Sequence, residues 1–265
     1  MRFVTRRPRG ALAPFVASIW LFEGPDLPHA RERVLPNGSL QLLVNLHEDE
    51  LRRWEGDGFT RAGRNRGAAI AGPYRGPVVI DTDEQRRITG VAFRPGGARP
   101  FFDPPVHELA AHQPDLDALW PRHTLRAQLL EAPSDEALLD VWERFLRERL
   151  GHARPDRALD HAVALLDRGA TVREVSRALE WSDRRLRRRF ARAVGLTPKR
   201  FARIRRLQRV LRSLAAEPAS WAQLAADCGF CDQAHLIHDF RELAGTTPTR
   251  YRARDDEDPN HVVVD

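Results

Sequence analysis

The chain has 265 residues, of which 42% are hydrophobic and 30% charged, a balance typical of folded domains in water and a length sufficient for two cores. Its two cysteines exclude a disulfide framework. The sequence has no apolar run of about 18 residues, and its N-terminal MRFVTRRPRG lacks the apolar core of a signal peptide. We therefore expect a cytoplasmic protein with no membrane segment.

The first part of the chain predicts β-strands followed by helices. LQLLVNL (40–46), VVIDT (78–82) and ITGVAFRP (88–95) are short runs rich in Val, Ile and Leu. After Pro105 the apolar residues recur at helical spacing, and two helices are predicted within 116–149, the second beginning at Ser134. We expect residues 1–150 to form a β-rich, cupin-like domain that ends in helices.

Residues 156–254 predict helices only, so the chain as a whole is expected to be α+β. Ser182 and Asp232 are suitable N-caps, and Gly195 and Gly245 are suited to ending the helices that these residues begin. A long helix is predicted from Pro198 to Leu214. Two shorter helices are expected to begin at the capping-box sequences Thr171-Val-Arg-Glu174 and Ser220-Trp-Ala-Gln223, after a first helix over 156–167.

Positive charge is concentrated in this helical part. Residues 155–254 contain 21 Lys and Arg against 11 Asp and Glu, a net charge of +10, whereas residues 1–154 contain 22 against 21. Such a local excess of base is typical of a domain that binds a polyanion. The segment 255–265 contains five acidic residues and no basic one, and we expect it to be an acidic, disordered tail.

The helical part contains an internal duplication. Upstream of the turn the two copies are offset by 49 residues, so that Trp181 matches Phe230. Downstream the offset is 50, and the extra residue of the second turn is Cys231. Each copy is a short helix, a tight turn and a second helix, which is helix-turn-helix anatomy. The matching pairs are Leu186 and Leu236, Phe190 and Phe240, Gly195 and Gly245, Pro198 and Pro248, and Phe201 and Tyr251.

The sequence Cys228-Gly-Phe-Cys231 has the spacing of a redox dithiol or of half a zinc site. A zinc site requires about four ligands, and no second C-x-x-C is present. A thioredoxin-like site follows a strand, whereas this segment ends a predicted helix. We interpret Cys228 as a buried helix residue, Gly229 as a left-handed turn residue and Cys231 as a turn residue, and leave a redox role for Cys231 open.

At these residues the sequence resembles a known family. LAADCGFCDQAHLIHDFRELAGTTPTRYR (224–252) and WSDRRLRRRFARAVGLTPKRF (181–201) resemble the DNA-binding domain of AraC/XylS-type transcriptional regulators. In the first half, VLPNGSLQLLVNL and FRPGGARPFF resemble the sensor domains found in front of it. The resemblance implies double-stranded DNA and RNA polymerase as partners, and a first domain that binds a small effector or a second protomer. Monomer and homodimer both remain open.

The resemblance also assigns residues to DNA. Positions that reach base edges in the family are occupied here by Arg184, Arg187 and Arg188 in the first copy and by Ala234, His235 and His238 in the second. Arginine at such positions favours guanine. Because the family often has arginine where His238 stands, we expect the first helix to contribute more affinity. Phosphate contacts are predicted for Arg185, Lys199, Arg200, Arg203, Gln233, Arg250 and Arg252.

Two other function classes are weighed against DNA reading. The first half contains no metal-binding or hydrolase motif, although it has five candidate side chains, His29, His47, Glu48, His107 and His112. We therefore expect no catalytic residue, metal or cofactor. The alternative is an enzyme or metal-binding domain tethered to DNA. A non-specific architectural DNA binder would also fit the charge, although such proteins favour minor-groove wedges. Effector-pocket residues such as Asn45, His47 and Arg94 are guesses at this point.

Overall fold

The computed structural model describes residues 2–24, 29–83, 86–214, 220–254 and 259–264, apart from the side chain of Asp57. These ranges contain ten strands and ten α-helices. The strands are β1 (Arg2–Arg6), β2 (Val16–Glu23), β3 (Arg31–Val34), β4 (Gln41–Asn45), β5 (Glu50–Glu55), β6 (Arg61–Arg66), β7 (Ala68–Ala71), β8 (Val78–Asp81), β9 (Arg87–Phe93) and β10 (His261–Val263).

The strands form two antiparallel sheets of five strands each. Sheet A has the order β1-β2-β9-β4-β7, and sheet B has the order β10-β3-β8-β5-β6. The three strands predicted from sequence are β4, β8 and β9, which occupy interior positions in the two sheets. Strands such as β5 (ELRRWE) and β6 (RAGRNR) escaped prediction because charged residues dominate them, as is common towards the edge of a sheet.

Side chains of successive residues in sheet A point to opposite faces, and those on one face form the core of the first domain. Leu42 and Val44 of β4 are fully buried in a cluster that continues into the helices. Leu43, on the opposite face, packs against a smaller cluster in which Phe22 of sheet A meets Leu51 of sheet B. Sheet A is therefore covered on one face by helices and on the other by sheet B.

The helices of the first domain are shorter and more numerous than predicted. The range 116–149, where two helices were predicted, contains three, numbered α2, α3 and α4, and a further helix, α1, precedes them. The start of α4 at the Ser134 cap is confirmed, because the Ser134 side chain accepts the Ala137 amide at 3.2 Å. The fully buried Trp142 of α4 donates to the Thr89 hydroxyl at 2.9 Å, which ties this helix to β9. The bounds are α1 (Val106–His112), α2 (Leu116–Leu119), α3 (Leu125–Leu130) and α4 (Asp135–Leu150).

The second part of the chain consists of six helices with the predicted order. The Thr171 capping box is confirmed on both sides. The second expected box is only half formed, because Ser220 caps the Gln223 amide but the Gln223 side chain turns to Asp227 at 2.7 Å. The bounds are α5 (Arg157–Asp167), α6 (Val172–Ala178), α7 (Asp183–Val194), α8 (Pro198–Leu214), α9 (Trp221–Asp227) and α10 (Gln233–Ala244).

The chain has two main hydrophobic cores. One contains residues from Leu12 to Leu150, and the other contains residues from Leu159 to Ala244. Leu35 and Val262 also belong to the second core, although each lies outside that range. The expected α+β class, with a β-rich, cupin-like first part and an all-helical second part, is confirmed. The two cores support a proposed boundary at the exposed segment 151–155.

The expectation of a disordered tail is wrong for residues 259–264. His261–Val263 form β10, which pairs with β3 of the first domain. Its consecutive Val residues favour a strand, but the pairing with the edge of sheet B is a long-range one that composition does not reveal. Residues 255–258 and 265, which carry the acidic charge, lie outside the described residues.

Candidate nucleic-acid interface

The turns of the two helix-turn-helix copies follow the same backbone path. Glu180 and Gly229 occupy equivalent positions and both have positive φ, 52° and 80°. The next residue in each copy, Trp181 or Phe230, donates its amide to the carbonyl five residues earlier, at 2.9 and 2.8 Å. The duplication predicted from sequence is therefore confirmed at the level of individual backbone hydrogen bonds.

The helices that follow the turns begin and end alike. Ser182 caps α7 and Asp232 caps α10, and each side chain accepts the amide three residues later, at 3.3 and 2.7 Å. Both helices end at a left-handed glycine, Gly195 or Gly245, whose amide bonds to the carbonyl four residues earlier at 2.9 Å. Both helices are twelve residues long.

Each of these helices is held by one buried face. Leu186 and Phe190 of α7, and Leu236 and Phe240 of α10, are at most 1% exposed. Phe190 and Phe240 each meet an aromatic ring eleven residues later edge-on, with centroids 5.4 and 5.8 Å apart. With one face fixed in the core, the opposite face of each helix is left to solvent.

The outer face of α7 presents the three predicted base-reading arginines. Arg184, Arg187 and Arg188 are all exposed. Arg187 forms an exposed ion pair with Asp183, one turn earlier, at 3.6 Å. Such a solvated pair contributes little to stability, so it is easily exchanged for a DNA contact. The structure brings the three arginines to one accessible surface, as the sequence predicted.

Two further arginines of α7 lie against the aromatic residue of the turn. The guanidinium groups of Arg185 and Arg189 lie 5.0 and 4.8 Å from the Trp181 ring centroid. Arg189 also pairs with Asp156, the N-cap of α5, at 2.6 Å. Cation–π contact restricts a long side chain, so Arg185 is held near the start of the helix where a phosphate contact was predicted. The match of Trp181 to Phe230 in the duplication was a usable signal for this position, although it did not indicate the contact with the two arginines.

The outer face of α10 carries little charge. His235 is half-buried, with its ring edge-on to Phe230 at 5.2 Å and its Nε2 atom 3.7 Å from Asp239. The second turn thus uses an aromatic residue in the same way as the first, but the side chain held there is a histidine. The other predicted contact residues of this helix are exposed, namely Gln233, Ala234 and His238.

The predicted phosphate contacts divide into two groups. Lys199, Arg250 and Arg252 are exposed, and a phosphate role for them remains a prediction. Arg200 and Arg203 are half-buried and already engaged, Arg200 with Glu242 and Arg203 with Asp239 and Glu242. Their guanidinium groups are bound to acids of α10, which the sequence did not indicate, and a phosphate role for them remains a prediction.

An ion-pair network fastens α10 to the long helix α8. The Asp239 side chain is 4% exposed and lies 2.6 Å from Arg203 and 3.3 Å from Arg206. Hydrogen bonding to Arg203 lowers the pKa of Glu242 to about 2, and the Asp239 hydrogen bond raises that of Arg203. The buried acid at position 239 corresponds to Arg189 in the first copy, so α10 is held through an acidic side chain and α7 through a basic one.

The C-x-x-C sequence has the structural role predicted for it. Cys228 is buried at the end of α9, where burial raises the pKa of its thiol, and Cys231 is exposed in the turn. Gly229 adopts the left-handed conformation, and Phe230 is buried between the helices. A redox role for Cys231 remains untested.

Two of the pocket residues suggested in the first domain are engaged in hydrogen bonds. The Asn45 side chain accepts the amides of His47 and Glu48 at 2.8 and 3.1 Å, as part of a turn. The Nε atom of Arg94 donates to the Ala13 carbonyl at 2.9 Å, and His47 is exposed. A role for these three residues in an effector pocket remains a prediction.

One group of three possible metal ligands occurs in the described part of the chain, at His238, Asp239 and Glu242. Its two carboxylates are the ones bound by Arg203, so the group is an ion-pair cluster rather than a free set of ligands. In the same described residues, no helix is both long and apolar enough to cross a bilayer.

Comparison with known proteins matches both parts of the chain. Residues 175–254 match a family described as a helix-turn-helix domain, and residues 4–115 match a domain of unknown function, DUF6597. The HTH-type transcriptional activator RhaS of Escherichia fergusonii is 28% identical over 151 residues, which are 56% of this chain and 50% of RhaS. The match thus spans only half the length of that relative.

Two solved structures of ToxT from Vibrio cholerae also align with most of the chain. The first has a TM-score of 0.46 and 10% identity, and covers 93% of this chain and 96% of ToxT. The second, of ToxT with a bound unsaturated fatty acid, has a TM-score of 0.42 and 6% identity, and covers 93% of each chain. Both are distant likenesses of overall shape.

The repeated turns, caps and buried residues agree with the helix-turn-helix match over residues 175–254. They agree equally with the sequence pattern of residues 181–201 and 224–252. The C-terminal part of this chain is therefore a double helix-turn-helix domain, and its sequence is similar to the DNA-binding domain of AraC/XylS-type transcriptional regulators.

Proposed function

We propose that this protein is a sequence-specific transcriptional regulator that reads a bipartite DNA site with α7 and α10. The observation that carries the proposal is the repeated turn and cap geometry, which leaves the outer face of each helix accessible. In a helix-turn-helix protein this second helix is the one that enters the major groove. An enzyme or a merely structural protein would have no need for two such faces.

The connection between the reading helices suits two neighbouring grooves. The long helix α8 has 17 residues, which at 1.5 Å per residue span about 25 Å. Successive major grooves on one face of B-DNA are about 34 Å apart. A spacer of this length, with a helix packed at each end, supports simultaneous contact with both grooves by one polypeptide.

The two halves of the site are expected to differ in their contribution to affinity. Arg184, Arg187 and Arg188 provide three guanidinium groups on α7, each suited to the O6 and N7 acceptors of guanine. The exposed predicted contact residues of α10 are Gln233, Ala234 and His238, which offer a thymine-methyl contact and weaker polar contacts. We therefore assign the stronger, guanine-rich half-site to α7.

The first domain is proposed to control the second. A small effector or a second protomer bound to the β-rich domain would alter how the reading helices engage promoter DNA and RNA polymerase. The relative RhaS is a transcriptional activator, and activation of transcription is proposed for this protein too. The support is the extensive packing between the domains: a Cβ added at Gly38 would lie 3.0 Å from the Phe201 ring of α8, and one at Gly195 would lie 2.8 Å from Pro73.

Selection of binding sites from random duplexes tests the proposal. The expected product is a motif with two conserved blocks about ten base pairs apart, with guanine enriched in one block. Competition of the selected duplex against bulk DNA at fixed salt separates specific from architectural binding. A single short block, or equal competition by bulk DNA, would contradict the proposed reading mode.

A further inference from the structure

The end of the chain returns to the first domain and completes one of its sheets. β10 pairs antiparallel with β3, with Val262 opposite Arg33. Backbone hydrogen bonds connect the Leu35 amide to the Asn260 carbonyl at 2.8 Å and the Val264 amide to the Arg31 carbonyl at 3.2 Å. A strand that follows the DNA-binding domain in sequence is thus an edge strand of sheet B.

The two faces of β10 contact different domains. Val262 is 3% exposed and belongs to the core of the helical domain, together with Leu35, which follows β3. The neighbouring His261 turns to the opposite face, where its Nδ1 atom lies 2.6 Å from the Glu32 carboxylate. A short strand with one face in each domain joins them more firmly than a loop contact would.

Glu32 anchors this strand from the β side. It is 1% exposed, and besides His261 its carboxylate lies 3.2 Å from Arg254 and 2.8 Å from His29. Burial by itself would raise its pKa, but the hydrogen bonds from His261 and His29 and the charge of Arg254 outweigh burial and lower the pKa to about 2. The anchor is therefore an ionised carboxylate with partners from both ends of the chain.

Gln208 anchors the same segment from the helical side. Its amide nitrogen, on α8, donates to the Pro36 carbonyl at 2.9 Å and to the Asn260 side chain at 2.6 Å. Gln208 is 6% exposed, so both acceptors would lose a donor in a buried place if it were removed. One amide thus connects the helix between the two reading motifs to the first domain and to the terminal segment.

We propose that residues 259–264 form a strap that sets the orientation of the helix-turn-helix domain against the β-rich domain, with Val262 and Glu32 as its positioning residues. The covalent connection at 151–155 is exposed, so the orientation depends on non-covalent contacts such as those of the strap. The strap is distinct from the reading surface, because it touches α8 and sheet B and not the outer faces of α7 and α10. The effect of the strap on domain orientation does not depend on the function proposed above; only an effect of that orientation on DNA binding would.

Spin-label distances measured on the full chain without DNA test the strap. Labels are placed at Arg144→Cys on α4 and Arg173→Cys on α6, both exposed, with Cys231→Ser to remove the exposed thiol. The test variant is Val262→Asp, and the matched control is Val264→Asp, whose side chain is only half-buried. The parent and the control are expected to show one narrow distance distribution, and Val262→Asp one at least twice as broad.

A second variant removes residues 259–265 instead of burying a charge. It is expected to broaden the distribution as Val262→Asp does, with unchanged helical circular dichroism. An unchanged narrow distribution in both variants would overturn the strap. Loss of the helical signal in both would also overturn it, because a strap is dispensable for the folding of each domain. Neither result bears on whether the protein selects a DNA site, so the two proposals fail separately.

Discussion

Replacing Asp239 by alanine tests whether the ion-pair network holds the second reading helix on α8. The substitution leaves the guanidinium groups of Arg203 and Arg206, whose side chains are 18% and 24% exposed, without their shared buried partner. Breaking a buried ion pair by removing one member costs roughly 3–5 kcal/mol. Because Glu242 still pairs with Arg203 and solvent reaches both arginines, we expect a loss of about 2–3 kcal/mol in the free energy of unfolding.

Asp167→Ala is the matched control for this experiment. Asp167 also pairs with an arginine of α8, Arg205, at 2.6 Å, but its side chain is 42% exposed. An exposed pair of this kind contributes at most about 1 kcal/mol. Urea unfolding at neutral pH, followed by far-ultraviolet circular dichroism, gives both values from midpoints at equal slope. If Asp239→Ala costs no more than Asp167→Ala, burial of the acid is not what secures α10, and our reasoning about the network is wrong.

Other residues give three further predictions. Arg187→Ala and Arg188→Ala should each weaken binding to a selected duplex by roughly 1–3 kcal/mol and relax base preference, as measured by fluorescence anisotropy; equal weakening on all sequences would reassign them to phosphate. Glu180→Gly should raise stability by about 0.5–1 kcal/mol in thermal unfolding, and Gly229→Ala should lower it similarly, because both positions have positive φ. Glu32, with a pKa lowered to about 2, should add stability above pH 4.5 that is lost as pH falls from 4.5 to 2. Glu32→Gln should make the fall of the urea midpoint over this range smaller than in the parent, leaving the part due to Glu242.

The helical half of the chain was predictable because its signals are local. An N-cap such as Ser182, a terminating Gly195 and apolar residues four apart act within one or two turns of a helix, so the sequence alone places them. The duplication strengthened each signal, since a pattern seen twice at a constant offset specifies one structure for both copies. Even the additional Cys231 could be placed in the turn before the structure was known.

The β-rich half was less predictable for the opposite reason. β4 and β9 are apolar and lie inside sheet A, so their composition identified them. β3 and β5 carry arginine and glutamate, and β8, which is distant from both in sequence, completes their hydrogen bonds. β6 carries three arginines and pairs with β5 across a hairpin. The helical region after Pro105 likewise divides into shorter helices, whose ends depend on packing against sheet A.

The sequence by itself determined the two helix-turn-helix units, their caps and turns, and the exposed arginines of α7, because each depends on neighbours within about a dozen residues. Only the tertiary structure decided that Arg200 and Arg203 turn inward to the acids of α10, and that the terminal segment is a strand beside Glu32. Those outcomes depend on charged groups and strand edges that are far apart in the sequence. Arg203 and Asp239 are separated by 36 residues, and Glu32 and His261 by 229. Contacts at such separations are fixed by the packing of whole domains, which no local pattern records.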